Sequence, residues 1–172
     1  HGLPNERNAH PHANQRVAVV HNGIIENYAA LKAELEESQA RFESETDTEV
    51  IVHLVSHYLN QGMGPVDAAN ATFARLEGAY AIVMIFAGEH DLMVGVRQGT
   101  PLAVGYGEGE MFVASDSYAL APLTRKICFL EDGDRVVVTR QGAQISNRDG
   151  QSIERAVRMT EQSGATTGKG EY

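Results

Sequence analysis

The residues whose types and spacing could do chemistry fall in two short segments. His21-Asn22-Gly23-Ile24-Ile25-Glu26-Asn27 places a side-chain amide and a glycine where an apolar run meets a turn signal. A turn there would expose the Gly23 N–H beside the Asn22 amide, two donors able to hold the negative oxygen of a tetrahedral acyl intermediate. A tight turn with no chemistry accounts for the same residues. Ser44-Glu45-Thr46-Asp47-Thr48-Glu49-Val50 gathers three acids and three hydroxyls at the start of a helical pattern. Thr46 and Glu49 fit a capping box, and acids are favoured at a helix N-terminus. Capping does not require so dense a cluster, which leaves Asp47 as a candidate ligand for an ammonium group.

Other candidates give way to plainer accounts. His53 and His57 have the i, i+4 spacing of a zinc pair. At about 100° per residue they point away from the apolar stripe of their helix, and the glutamate of the zinc-protease motif is absent. Both are expected in solvent. His10-Pro11-His12 has neither cysteines nor an acidic cluster beside it and reads as loop packing. Gly164 to Lys169 lacks the Ser or Thr and the preceding strand of a phosphate loop. Gly105-Tyr106-Gly107-Glu108-Gly109 lies between apolar runs and reads as a hairpin connection, not a dinucleotide fingerprint. Cys128, the only cysteine, sits in Ile127-Cys128-Phe129-Leu130, an apolar setting that keeps it a thiol and favours a core role over a nucleophilic one. No metal and no cofactor is called for.

The elements that must position these residues follow from hydrophobic spacing. The first fifteen residues read as an irregular loop. Arg16 to Val20 is a β-branched run predicted as a buried strand, ending in a positive-φ turn at His21-Asn22-Gly23. A helix is predicted from Glu26, with Tyr28, Leu31 and Leu35 on one face. A second starts near Thr46 with Ile51, Leu54, Val55 and Tyr58 as its stripe, and a third runs from Pro65 to Leu76. Strands are predicted over Tyr80–Phe86, Leu92–Val96, Leu102–Tyr106, Met111–Ala114 and Arg135–Thr139. Helices followed by a run of adjacent strands argue for an α+β fold with antiparallel sheets.

Composition bounds the remaining possibilities. With 172 residues, 42% apolar and 22% charged, the chain has ordinary soluble globular composition and length for one domain. A formal charge of -9 and no basic cluster beyond Arg125-Lys126 argue against a nucleic-acid partner. No apolar run is long enough to cross a bilayer, so no membrane partner is expected. One cysteine fits a reducing cytoplasm. The opening residue is His1 rather than Met, and Gly164 to Tyr172 is small and polar, so the chain is expected to be an internal piece of a longer protein.

The two segments, in this order and spacing, resemble the glutaminase domain of the glutamine–fructose-6-phosphate aminotransferases. The resemblance extends through Asn8-Ala9-His10-Pro11-His12, Gly78-Ala79-Tyr80, Pro101-Leu102, Ala114-Ser115-Asp116 and Phe129-Leu130-Glu131-Asp132-Gly133-Asp134, to about Arg158. It implies an N-terminal-nucleophile fold, an αββα sandwich of two antiparallel sheets between helix layers, incomplete at its N-terminal strands. Residues 1–158 would form the partial class II amidotransferase domain, and 159–172 a linker toward sugar isomerase domains. In this family an N-terminal cysteine attacks the glutamine side-chain amide, with its own α-amine as base.

Asn22 and Gly23 match the oxyanion-holding positions, and Asp47 matches the acid that grips the α-amino group of glutamine. His1 and Gly2 match the end of a loop that closes over the substrate. The nucleophile and the carboxylate-binding arginine of the family have no counterpart in these residues, so the isolated chain is expected to be inactive. Glutamine or glutamate is the implied ligand, and a homodimer the implied assembly of the parent. A sheet edge left open is expected to favour dimerisation or aggregation. Three alternatives stay open: another class II enzyme such as an amidophosphoribosyltransferase, a non-catalytic amino-acid-binding module, and a hydrolase using Cys128.

Overall fold

The structure, a computed structural model, describes residues 12–161. The chain enters through a short strand β1 (His12–Ala13), then a long strand β2 (Val17–Ile25), and continues into helices α1 (Tyr28–Glu37), α2 (Thr48–Asn60) and α3 (Pro65–Phe73). Strands β3 (Gly78–Phe86), β4 (Glu89–Gln98), β5 (Ala103–Tyr106) and β6 (Met111–Ala114) follow. The single turn α4 (Ser117–Leu120) precedes β7 (Lys126–Phe129), β8 (Arg135–Thr139), β9 (Gly142–Ser146), β10 (Ser152–Ile153) and β11 (Val157–Met159). The strands form a seven-stranded sheet in the order β1-β2-β3-β4-β8-β9-β10 and a four-stranded sheet in the order β11-β7-β5-β6. Every ladder is antiparallel.

Strand alternation divides the large sheet into two apolar faces. Val17, Val19 and Ile25 of β2, with Ile82, Met84, Val94 and Val96, pack beneath Leu31, Leu35, Ile51, Leu54, Val55 and Phe73 of the three helices. Each fully buried aliphatic side chain there stabilises the fold by about 2 kcal/mol relative to exposure. On the opposite face Ala81, Val136, Val138 and Ile145 meet Leu102, Val104, Cys128 and Leu130 of the small sheet. The expected α+β sandwich of antiparallel sheets is present. Among the described residues, α4 contributes the helical contact on the outer face of the small sheet, through Leu120 against Ala103 and Ile127. Val20, Ile24 and Ile85 remain 51–56% exposed.

Several expectations need correction. His12 and Ala13 pair with β2 rather than joining a loop. Strand β2 does not end at Val20: it runs to Ile25, and Asn22-Gly23 lies inside the ladder opposite Ala81 and Tyr80. Gly23 does have positive φ, at 110°. It does so inside the ladder rather than in a turn, and a Cβ there would stand 2.1 Å from the Ala79 carbonyl oxygen, so the position is open to glycine alone. The third helix ends at Phe73, short of Leu76. The Gly105–Gly109 stretch does connect a hairpin, between β5 and β6.

Candidate active site at the edge of strand β2

Site geometry begins with which way the β2 backbone points. Glu26 N donates to Glu77 O and Ala87 N to Arg16 O, so even-numbered residues of this stretch exchange hydrogen bonds with the β3 side. Odd-numbered N–H groups therefore point to the other edge. Strand β1 occupies that edge only beside residues 17–19. From His21 to Ile25, no strand pairs with it among the described residues. Gly23 and Ile25 thus direct N–H groups to the same side, roughly 7 Å apart by the rise of a strand.

The start of α2 fills part of this edge. Asp47 occupies the N-cap position, and its Oδ2 accepts from Ile25 N at 2.8 Å. Its Oδ1 lies 3.8 Å from His21 Nδ1, and His21 Nδ1 shares a 2.9 Å hydrogen bond with Thr48 Oγ1. His21, Thr46, Asp47 and Thr48 are all buried. Two segments 22 residues apart are therefore tied together by a side-chain-to-backbone bond at the strand edge.

The expected capping box is absent. Glu49 turns away from the helix end and accepts from Glu43 N and Ser44 N, each at 2.7 Å, and from the Ser44 hydroxyl. Burial raises the pKa of its carboxyl, but these donors, with His53 nearby, outweigh burial and hold it below the ordinary 4.5. Thr46 interacts with Ser44 Oγ at 3.1 Å. His53 is not simply solvated: its Nε2 lies 3.5 Å from Glu49 and its ring 4.4 Å from that of Phe42. His57 is exposed as expected, and hydrogen-bonds Gln61. Among the described residues no group of three or more His, Cys, Asp or Glu side chains could hold a metal.

Asn22 is exposed, and strand alternation turns its side chain to the face opposite the helices. Asn22-Gly23 and Asp47 thus meet at one strand end but approach it from two sides. Asn27, the last residue of the first segment, is structural: its amide bonds Arg75 O at 2.9 Å and accepts from Glu77 N at 3.0 Å. His1 and Gly2 lie outside the described residues. Cys128 is fully buried in β7. Burial, and then Asp134, push its thiol pKa up, with Arg155 opposing, which is the environment of an inert core cysteine. The sequence did not single out His21, the buried side chain beside Thr48 and Asp47, whose only signal was its place next to Asn22.

Residues 4–122 match the family described as glutamine amidotransferase domain. The chain is 51% identical, over its whole length, to the glutamine–fructose-6-phosphate aminotransferase (isomerizing) of Brucella suis, of which it covers 28%. Over 155 residues, 90% of the chain, it is 55% identical to the enzyme of the same name from Bradyrhizobium diazoefficiens, covering 26% of it. The chain thus spans little more than a quarter of these relatives. Among solved structures, the glutamine phosphoribosylpyrophosphate amidotransferase of B. subtilis superposes with a TM-score of 0.66 at 24% identity, over 80% of this chain and 30% of that one. A class II glutamine aminotransferase domain protein from Silicibacter pomeroyi gives 0.58 at 19% identity, over 82% and 70%. At such identities the likeness is one of fold.

Proposed function

The chain belongs to the glutamine amidotransferase family, and from that premise we propose that it is the glutamine-hydrolysing domain of a glutamine–fructose-6-phosphate aminotransferase (isomerizing). The parent protein would convert glutamine and fructose 6-phosphate into glutamate and glucosamine 6-phosphate. It would work as a homodimer in a reducing cytoplasm, with residues 159–172 leading toward the sugar-binding part.

The observation that carries the proposal is the Ile25 N–H to Asp47 Oδ2 bond. It sets a buried carboxylate on the strand edge to which Gly23 also directs its N–H. Asp47 holds the α-ammonium of glutamine in a low-dielectric setting, where the attraction is stronger than in water. The side-chain amide then extends along the edge toward Gly23, where the backbone N–H and the Asn22 amide meet the carbonyl oxygen as it becomes negative.

Attack on the amide carbon forms an acyl bond and breaks the C–N bond, releasing ammonia, and water then frees glutamate. The resemblance implies a cysteine as attacking group. Cys128, the one thiol of these 172 residues, is buried between the sheets and does not fit that part.

Asp47→Asn in the full-length protein tests the assignment, since it keeps an acceptor for Ile25 N and removes the charge. The expected result is a fall of about a hundredfold in kcat/KM for glutamine. An unchanged value would overturn the assignment.

A further inference from the structure

We propose that Glu49 is a positioning residue for glutamine, acting through the loop that delivers Asp47; this rests on Asp47 being the ammonium anchor. The loop leaves α1 through Gln39, a non-glycine residue at φ 70°, with Ala40 N bonded back to Leu35 O at 3.0 Å. It then crosses toward the start of α2. Its first anchor is Phe42, whose ring lies against His53 at 4.4 Å and beneath Lys32 Nζ at 5.2 Å. Its second is the Glu49 carboxylate, both oxygens of which take backbone N–H groups of the loop, from Glu43 and Ser44. The Ser44 hydroxyl donates to the same carboxylate and also contacts Thr46 Oγ1.

Asp47 follows three residues after Ser44, and its own carboxylate is fixed to β2. The peptide between is therefore fastened at both ends, by Glu49 to α2 and by Asp47 to the strand edge. Glu49 itself is 9% exposed and sits in the first turn of α2, so the helix supplies its base. A carboxylate accepting two backbone N–H bonds makes a stronger and more directional tie than a neutral acceptor. Such a tie narrows the range of positions open to the ammonium anchor, which matters because small misplacements of a binding group cost large factors in rate.

The proposal separates Glu49 from a residue that merely supports the fold, because it predicts loss for one part of the substrate only. The full-length protein is assayed by ammonia release with glutamine and with glutaramate, which is glutamine without its α-amino group. Glu49→Gln places an amide donor against N–H groups. It is expected to raise KM for glutamine about tenfold with kcat nearly constant, and to leave kcat/KM for glutaramate within about twofold. The preference for glutamine over glutaramate then shrinks about tenfold. Ser44→Ala removes one of the three donors, and is expected to shrink the same ratio about threefold, a readout that survives if Glu49→Gln fails to fold.

Equal losses for both substrates, or no change in the ratio for either variant, would overturn the proposal. Asp47→Asn separates the two levels. If it leaves the preference intact, the ammonium assignment falls and this inference with it. If it abolishes the preference while Glu49→Gln and Ser44→Ala do not touch it, only the positioning role falls.

Discussion

Asp47 and Asp134 are both withdrawn from solvent, 4% and 1% exposed, yet they are held in different ways. Asp134 closes the turn before β8, accepting from Glu131 N at 2.8 Å. It also takes Arg155 Nε and Nη2 at 2.8 and 2.9 Å, a two-pronged fork that ties the approach to β11 onto that turn. The neighbours of Asp47 include a backbone N–H at 2.8 Å and an imidazole at 3.8 Å. A guanidinium already neutralises Asp134, so that carboxylate is spent on the fold. At Asp47 a backbone N–H of β2 orients the carboxylate at the strand edge instead. Burial alone therefore does not mark a binding acid.

The largest expected effect concerns the strand beneath Asp47. Gly23→Ala would force a Cβ to within 2.1 Å of Ala79 O at a φ of 110°, and should cost about 3 kcal/mol or more in denaturant unfolding. A loss below about 1 kcal/mol would show that the strand edge yields easily, and would weaken the contrast with the rigid Asp134 turn. Next, Asp134→Ala strips the acceptor from the part-buried Glu131 N–H and from the Arg155 fork, and should lower stability by about 2 kcal/mol while leaving KM for glutamine unchanged. A kinetic defect like that predicted for Asp47→Asn would erase the distinction between the two acids.

Acid titration sharpens the same comparison through Glu49. Its folded pKa lies below 4.5, so its contribution to stability is full above that value and is lost as pH falls through the lower folded pKa. Glu49→Gln should therefore reduce stability at neutral pH and flatten the decline below pH 4.5, as read from melting temperature against pH. The smallest effect is expected at Cys128. Native protein should resist thiol labelling at neutral pH, with reaction appearing only on unfolding. Rapid native labelling would revive a nucleophilic role for it.

The helices and the main strands were legible from local spacing, and the two site segments from the family resemblance they carry together. The errors come where a contact outside the element's own repeat decides, or where the apolar signal is weak. Asn22-Gly23 carries a turn signature, yet the positive φ falls inside a ladder with β3. Thr46 and Glu49 have capping-box spacing, but Glu49 finds better donors in the incoming loop. The Arg155–Asp134 fork spans 21 residues with no periodic pattern to announce it. Strands β9, β10 and β11 bury little beyond Ile145, which left their apolar signal too weak to read.

Gly23 has a counterpart across the ladder. A Cβ on Gly78 would stand 2.2 Å from Ile24 O, as one on Gly23 would from Ala79 O. The two glycines act as a key and its matching slot. Sliding β2 by two residues along β3 keeps the inside–outside alternation, so the hydrophobic core alone would tolerate it. Such a slide would bring His21 or Ile25 to the place where only a glycine fits. The two glycines thus tie the register of β2 on β3, and with it the place of the Gly23 N–H on the strand edge, to positions where no side chain fits.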